Sequence, residues 1–276
     1  MSTVLKTNDH LRADCENCFG LCCVALPYAK STDFAFHKDG GTPCRNLQSD
    51  YRCGIYKNLR NEGFKGCTVY ECFGAGQHVS NVTYEGKSWR NNPETAKEMF
   101  DVFPIMQQLH EMLYYVNEAL GLEQARPIHN DLKQVFEETE LLTKLSPKSI
   151  LELDVPSHRA IVNELLLRTS EYVRMEVKND QNQLNQSEIK DLIGKDVSGV
   201  NLSGFNFRGA LLIAADLRRS DLRMVDFIGA DLRDANISGA NLTGSIFLTQ
   251  AQVNAAKGDK NTELPPHLSI PKHWLE

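Results

Sequence analysis

From Leu192 to Phe247 an apolar residue returns every five positions: Leu192, Val197, Leu202, Phe207, Leu212, Leu217, Leu222, Phe227, Leu232, Ile237, Leu242 and Phe247. Two places ahead of many of them stands a small residue (Ala210, Ala215, Ser220, Ala230, Ala235, Ala240, Ser245), interrupted by Val225. The place directly ahead is mostly Asp or Asn. A period of five fits neither the 3.6 of a helix nor the 2 of a strand. It predicts stacked equal units, each burying its apolar residue against its neighbours.

Residues 91–180 carry a different pattern. After Asn92, Pro93 and Glu94 open a helix in the favoured way, with proline at an early position and acid in the first turn. Phe100, Phe103, Met106, Leu109, Leu113 and Val116 then recur at three- and four-residue steps, and Gly121 marks the stop. Pro104 lies inside this run and is expected to kink or divide it. A second helix is expected over about 130–145 with Leu132, Val135, Phe136, Leu141 and Leu142 inward, and a third from Pro156 through Ile161, Leu165, Leu166, Tyr172 and Val173. His110, His129 and His158 have no histidine partner at i+4, so they read as ordinary helix and loop residues. Residues 181–190 are amide-rich and read as a linker.

The runs AADLRR, GADLRD and GANLTG resemble the pentapeptide-repeat family, whose pattern is A-(D/N)-L-x-x. The resemblance implies a right-handed quadrilateral β-helix with four repeats per coil, its interior filled by the central Leu or Phe and the small residue. Twelve repeats would make three coils, a rod of about 14 Å at the inter-strand spacing. Some family members imitate DNA and bind topoisomerases with a long acidic rod. Residues 191–250 hold seven acids against six bases, and three coils are short, so that role is disfavoured. Asp216, Asp221, Asp226 and Asp231 read instead as acceptors for turn backbone, neutralised by Arg218, Arg223 and Arg233. The last coil needs a cap, expected from Phe247, Leu248, Ala251, Val253 and Ala255 as a short helix, followed within the cap segment 251–276 by LPPHLSIPKHW as an extended strap anchored by Trp274. His267 and His273 are assigned no function.

Composition changes the picture through its cysteines. All eight, Cys15, Cys18, Cys22, Cys23, Cys44, Cys53, Cys67 and Cys72, precede residue 73. The N-terminus lacks the apolar stretch of a secretory signal and no run of 18 apolar residues occurs, so a cytoplasmic chain with reduced thiols is expected. A net charge of −6 gives no general reason to bind nucleic acid or an anionic membrane. Clustered cytoplasmic cysteines favour metal over disulfides, with metal-free redox thiols as a third reading. Cys15 and Cys18 have C-x2-C spacing, and Gly40, Gly41, Gly54, Gly66 and Gly74 near the later cysteines let backbone amides approach sulfur. Zinc and iron–sulfur stay equally open, since the ferredoxin run of cysteines is absent. His37 and His78 lie in or just after the segment, where a surface or core role is preferred to a ligand role. Tyr70, Phe73 and the GAGQ loop after Cys72 are expected to shape a cleft beside the metal.

The strings CENCFGLCC, GGTPCRNL and YRCGIYKNLRNEGFKGCTVYEC are similar to a cysteine-cluster family described as a zinc- or iron-chelating domain. The resemblance covers about 15–75, uses all eight cysteines and departs around 61–64, where the family has a shorter stretch. The segment order resembles a bacterial class of pentapeptide-repeat protein with an N-terminal cysteine cluster. The expected fold is therefore mixed and multi-domain: a cysteine-rich metal module at 1–90, a helical block at 91–180, the linker, a β-helix at 191–250, and the cap. The function it implies is metal binding, by zinc or an iron–sulfur cluster, with the rod as a surface for a protein partner. A metal-dependent redox enzyme is the alternative, weakened because no acid/base constellation is visible.

Overall fold

A computed structural model describes residues 9–177 and 190–275. The chain divides into two compact units, residues 1–166 and 167–276. The cysteine segment shares a unit with the helices that follow it through residue 166. The expected linker, except Lys190, lies outside the described residues.

In the first unit a 3-10 turn Cys15–Asn17 leads to the short helix α1 (Leu21–Val24). Helices α2 (Lys65–Thr68) and α3 (Ala75–His78) follow, and α3 passes into a π turn, Val79–Thr83. The long helix α4 (Pro93–Leu120) is continuous; Pro104 lies inside it without dividing it. It lays Met99, Val102, Phe103, Met106, Leu109, Leu113 and Val116 inward and packs on α1, α3, α5 (His129–Thr143) and α6 (Pro147–Leu151). That packing joins the helical block to the cysteine segment, which explains the single unit. Helix α7 (Val155–Met175) follows.

Two expected inward residues point out. Leu141 is 63% exposed and Ile161 55% exposed. The buried stripe of α5 runs Leu132, Val135, Thr139 and Thr143, at three- and four-residue steps that pass Leu141 by. Thr139 is affordable inside because its hydroxyl donates to Val135 O at 2.6 Å and pairs with His158 Nε2 at 2.8 Å. In α7 the stripe is Val162, Leu165, Leu166 and Val173.

The second unit is a coil with a twenty-residue turn. Parallel bridges join Asp191 to Leu211, Asp196 to Asp216, Asn201 to Asp221, Asn206 to Asp226, and so on to Asp226 with Ile246. Four five-residue sides therefore make one turn. Among the described residues the coil holds isolated bridges rather than extended strands, because a corner interrupts the ladder every five residues. All twelve apolar residues of the repeat are buried, as are the small residues two places ahead. Equivalent positions stack along the axis: Phe207 and Phe227 lie 5.7 Å apart between ring centroids.

The polar position is structural. The side-chain oxygens of Asp191, Asp196, Asn201, Asn206, Asp216, Asp221, Asp226, Asp231, Asn236 and Asn241 each accept from the backbone N–H two residues on. Arg218, Arg223 and Arg233 fold back on Asp216, Asp221 and Asp231. The carboxyls of Asp216 and Asp221 are held below the usual range, chiefly by these guanidinium bonds. Arg208 meets the fully buried Asp226 at 3.1 Å.

Corners close with an N–H to C=O bond three residues back, as from Ala210 to Phe207, and each carries a positive φ two residues after the apolar position. That is the geometry of a type II turn, which favours glycine. Glycine fills it at 194, 199, 204, 209, 229, 239 and 244, whereas Ala214, Arg219, Met224 and Asp234 hold it against the preference of L-residues. The end of the coil is closed by α8 (Gln250–Ala255), whose Thr249 and Gln252 form a capping box. Trp274 is buried and donates from Nε1 to Ala256 O at 3.0 Å; a Cβ on Gly258 would fall 2.5 Å from its ring.

A Cβ at Gly209 would meet nothing within 4 Å, so Gly209→Ala isolates the cost of φ +62. It should lower the stability of the coil by about 1 kcal/mol, and Arg219→Gly should raise it, both read by urea unfolding of the full chain. Phe227→Ala, which empties the stacked column, should cost about 3–5 kcal/mol.

Candidate metal centre

All eight cysteines carry unbridged thiols. Short elements of the first unit carry them. The turn Cys15–Asn17 carries Cys15 and hands on to Cys18; α1 carries Cys22 and Cys23; α2 carries Cys67. Cys53 forms an antiparallel bridge with Leu47, three residues after Cys44, and Cys44 N donates to Cys23 O at 2.9 Å. Cys72 precedes α3.

Backbone amides answer the sulfurs. Cys18 Sγ accepts from the N–H of Leu21 and Gly20. Cys72 accepts from the N–H of Gly76 and Gly74, and Cys53 from that of Ile55. Cys44 receives Asn46 N at 3.5 Å and the Tyr28 hydroxyl at 3.2 Å. Gly76 makes room: a Cβ there would lie 2.7 Å from Cys18 Sγ and 4.0 Å from Cys72 Sγ.

Burial pushes the thiols up: Cys15, although an exposed residue, to about 11, with Cys18 the next cause; Cys67 to about 12; Cys72 to about 12. Burial likewise raises Cys18 and Cys53. Cys22 donates to Cys23, which raises the first and lowers the second. Lys38 also lowers Cys23. Its ammonium is buried and donates to Val24 O, Asp39 O and Thr42 O at 3.0–3.1 Å.

Tyr28 stacks on Phe34 at 4.4 Å, and Phe36 and Phe64 close the group beside Cys44. A Cβ on Gly66 would fall 2.3 Å from the Phe34 ring, so only glycine admits the ring next to Cys67. Lys38, Tyr28 and Ser80 were not singled out by the sequence reading. The aromatic-rich run around Tyr28, Phe34 and Phe36 was the available signal.

The donor set suits a thiolate-bound metal: unbridged cysteines, N–H donors aimed at sulfur, and a glycine that leaves sulfur room. Among the described residues no three Cys, His, Asp or Glu side chains are closed around a point as a metal site. His37 is exposed and pairs with Asp39 at 2.9 Å. His78 bonds Thr143 O at 3.1 Å and its ring meets His110 edge-on at 4.9 Å. The GAGQ loop becomes α3 and lies against Cys18 and Cys72, while the Tyr70 hydroxyl is buried with no hydrogen-bond partner. Glu71, whose carboxyl burial pushes up, follows it.

A family model described as pentapeptide repeats matches in eight copies, over residues 192–223 and 210–247. The twenty-residue turn and this match make the chain a pentapeptide-repeat protein. It belongs to one family with the uncharacterized protein YybG of Bacillus subtilis (strain 168), to which it is 69% identical over 272 residues, 98% of each chain. Two solved pentapeptide-repeat structures are also similar. One is alr5209 from Nostoc Pcc 7120, 28% identical, covering 30% of this chain and 81% of that one at a TM-score of 0.14. The other is AT2G44920 from the Arabidopsis thaliana thylakoid lumen, 26% identical, covering 33% and 68% at a TM-score of 0.16. Among the described residues no helix is long and apolar enough to cross a membrane.

His110 supplies a pH test. It is buried, donates from Nδ1 to Phe73 O at 2.8 Å, leaves Nε2 without a partner, and burial lowers it from 6.5 to about 3. The unfolded chain takes up a proton below about pH 6.5 that the folded chain refuses until about pH 3, so stability falls across that window as pH drops. In His110→Gln the loss of melting temperature between about pH 6 and pH 4 should be shallower by one proton's linkage, seen by thermal unfolding at fixed metal content.

Proposed function

We propose that the protein binds metal through its amino-terminal cysteines, as zinc or an iron–sulfur cluster, and that its repeat coil serves as an interaction or scaffold surface for a protein partner in the cytoplasm. The observation that carries this reading is the gathering of eight unbridged thiols, several of them met by backbone N–H donors, in one segment. Such donors stabilise thiolate, the form that ligates metal. Cys15, Cys18, Cys22, Cys23, Cys44, Cys53, Cys67 and Cys72 would hold the metal. The coil suits a surface role because its buried interior is apolar while its acids and arginines answer one another.

A second reading, electron transfer or redox catalysis, is favoured by Tyr70 and Glu71 next to Cys72: a buried hydroxyl without a partner and a carboxyl whose pKa is raised. Anaerobic purification followed by metal analysis, acid-labile sulfide and visible spectroscopy separates the two. A colourless protein holding zinc removes the redox reading, and a chain that takes up no metal under any preparation removes the main one. Deleting residues 195–250 should leave metal content per chain unchanged, as measured by elemental analysis.

A further inference from the structure

The arrangement of the eight thiols goes beyond their number. We infer that they form two four-thiolate sites, Cys15, Cys18, Cys22 and Cys72 in one, Cys23, Cys44, Cys53 and Cys67 in the other, with the Cys22–Cys23 dipeptide as their common wall. This rests on the metal-binding reading above and adds the assignment of ligands to it.

Adjacent residues on a helix project about 100° apart. Cys22 and Cys23 both lie in α1, so they address different directions. Cys22 is assigned to the group of Cys18 and Cys72. Gly76 lies against both of their sulfurs, and α3 packs on the turn that carries Cys15. Crosslinks from the α3 side hold this group together: Asp14 N donates to Gln77 Oε1, Gln77 Nε2 to Arg12 O, and Phe19 N to Ser80 Oγ.

Cys23 is assigned to the group of Cys44, whose amide is bonded to Cys23 O. Cys44 and Cys53 are drawn together by the Leu47–Cys53 bridge and by Gly54 N donating to Asn46 O. Cys67 arrives over the aromatic group: Gly66 N donates to Asp33 O, Cys67 N to Phe64 O, and Tyr28, stacked on Phe34, donates to Cys44 Sγ.

Four thiolates complete the coordination of zinc or of an iron–sulfur cluster. Each group therefore suffices alone. Their surroundings differ: backbone N–H donors from Gly20, Leu21, Gly74 and Gly76 face the first, and the buried Lys38 ammonium and the Tyr28 hydroxyl face the second.

The test uses the reduced, metal-free full-length chain, zinc as probe, and thiol alkylation read by mass spectrometry. Wild type should protect all eight cysteines at about two zinc per chain. Cys67→Ser should bind half as much and lose protection at Cys23, Cys44 and Cys53 only. Cys15→Ser should do the reverse, losing Cys18, Cys22 and Cys72. Gly76→Ala, which removes no ligand, should weaken the first group alone. Loss that crosses the line, or eight thiols protected by a single zinc, overturns the division while leaving metal binding intact. Wild type that shows no protection at any zinc concentration overturns metal binding itself. Should a serine variant fail to fold, stepwise cobalt(II) addition to wild type decides: two steps of equal thiolate-to-cobalt absorption support two sites, and a single step at one equivalent refutes them.

Discussion

A thiolate next to another thiolate is costly unless a cation or a hydrogen-bond donor answers it. The amino-terminal segment crowds eight sulfurs and supplies such answers only in part: backbone N–H groups, one buried ammonium, and a proton shared between Cys22 and Cys23. Cys15, Cys67 and Cys72, pushed to about 11 and 12, keep their protons at neutral pH in the absence of a cation. A bound divalent ion reverses that balance and deprotonates its ligands. On the metal-binding proposal, folding of this region and occupancy of its sulfurs are linked through protons.

The coil meets the opposite demand. Its backbone satisfies its own polar groups at most corners, with an Asp or Asn side chain accepting inside ten of the turns and the next coil accepting along the ladder. Charge is settled locally by arginines two residues away. The interior is then built mainly of apolar residues, one aromatic column included.

The coil was legible because period five leaves a signal in every pentad, and Leu211 and Ile246, which stand where Asp or Asn is usual, do not disturb it. The helices were legible in existence and extent, less in orientation. Leu141 and Ile161 are apolar yet exposed, and the threonine that replaces them inside, Thr139, is acceptable only because of bonds to Val135 and His158 that no periodicity encodes. Pro104 leaves α4 unbroken. Around the thiols, the cysteines announced themselves, but Lys38 and Tyr28 did not. Their roles depend on chain segments that meet only when folded, such as Lys38 under Val24 and Thr42. His110 falls in the same class: its partner is the carbonyl of Phe73, far away in sequence.

The twenty-residue register of the coil also restricts how such a chain can change length. Inserting one or two residues within a side would turn Leu, Phe and Ala outward and Asp inward in the next one. Inserting five keeps each side intact but moves every later side a quarter turn, so that the column of Phe207, Phe227 and Phe247 would be split between faces. Only twenty adds a storey with every face in place. Growth of this molecule is thus quantised, and a capped end such as α8 with Trp274 can be carried outward unchanged only in whole turns.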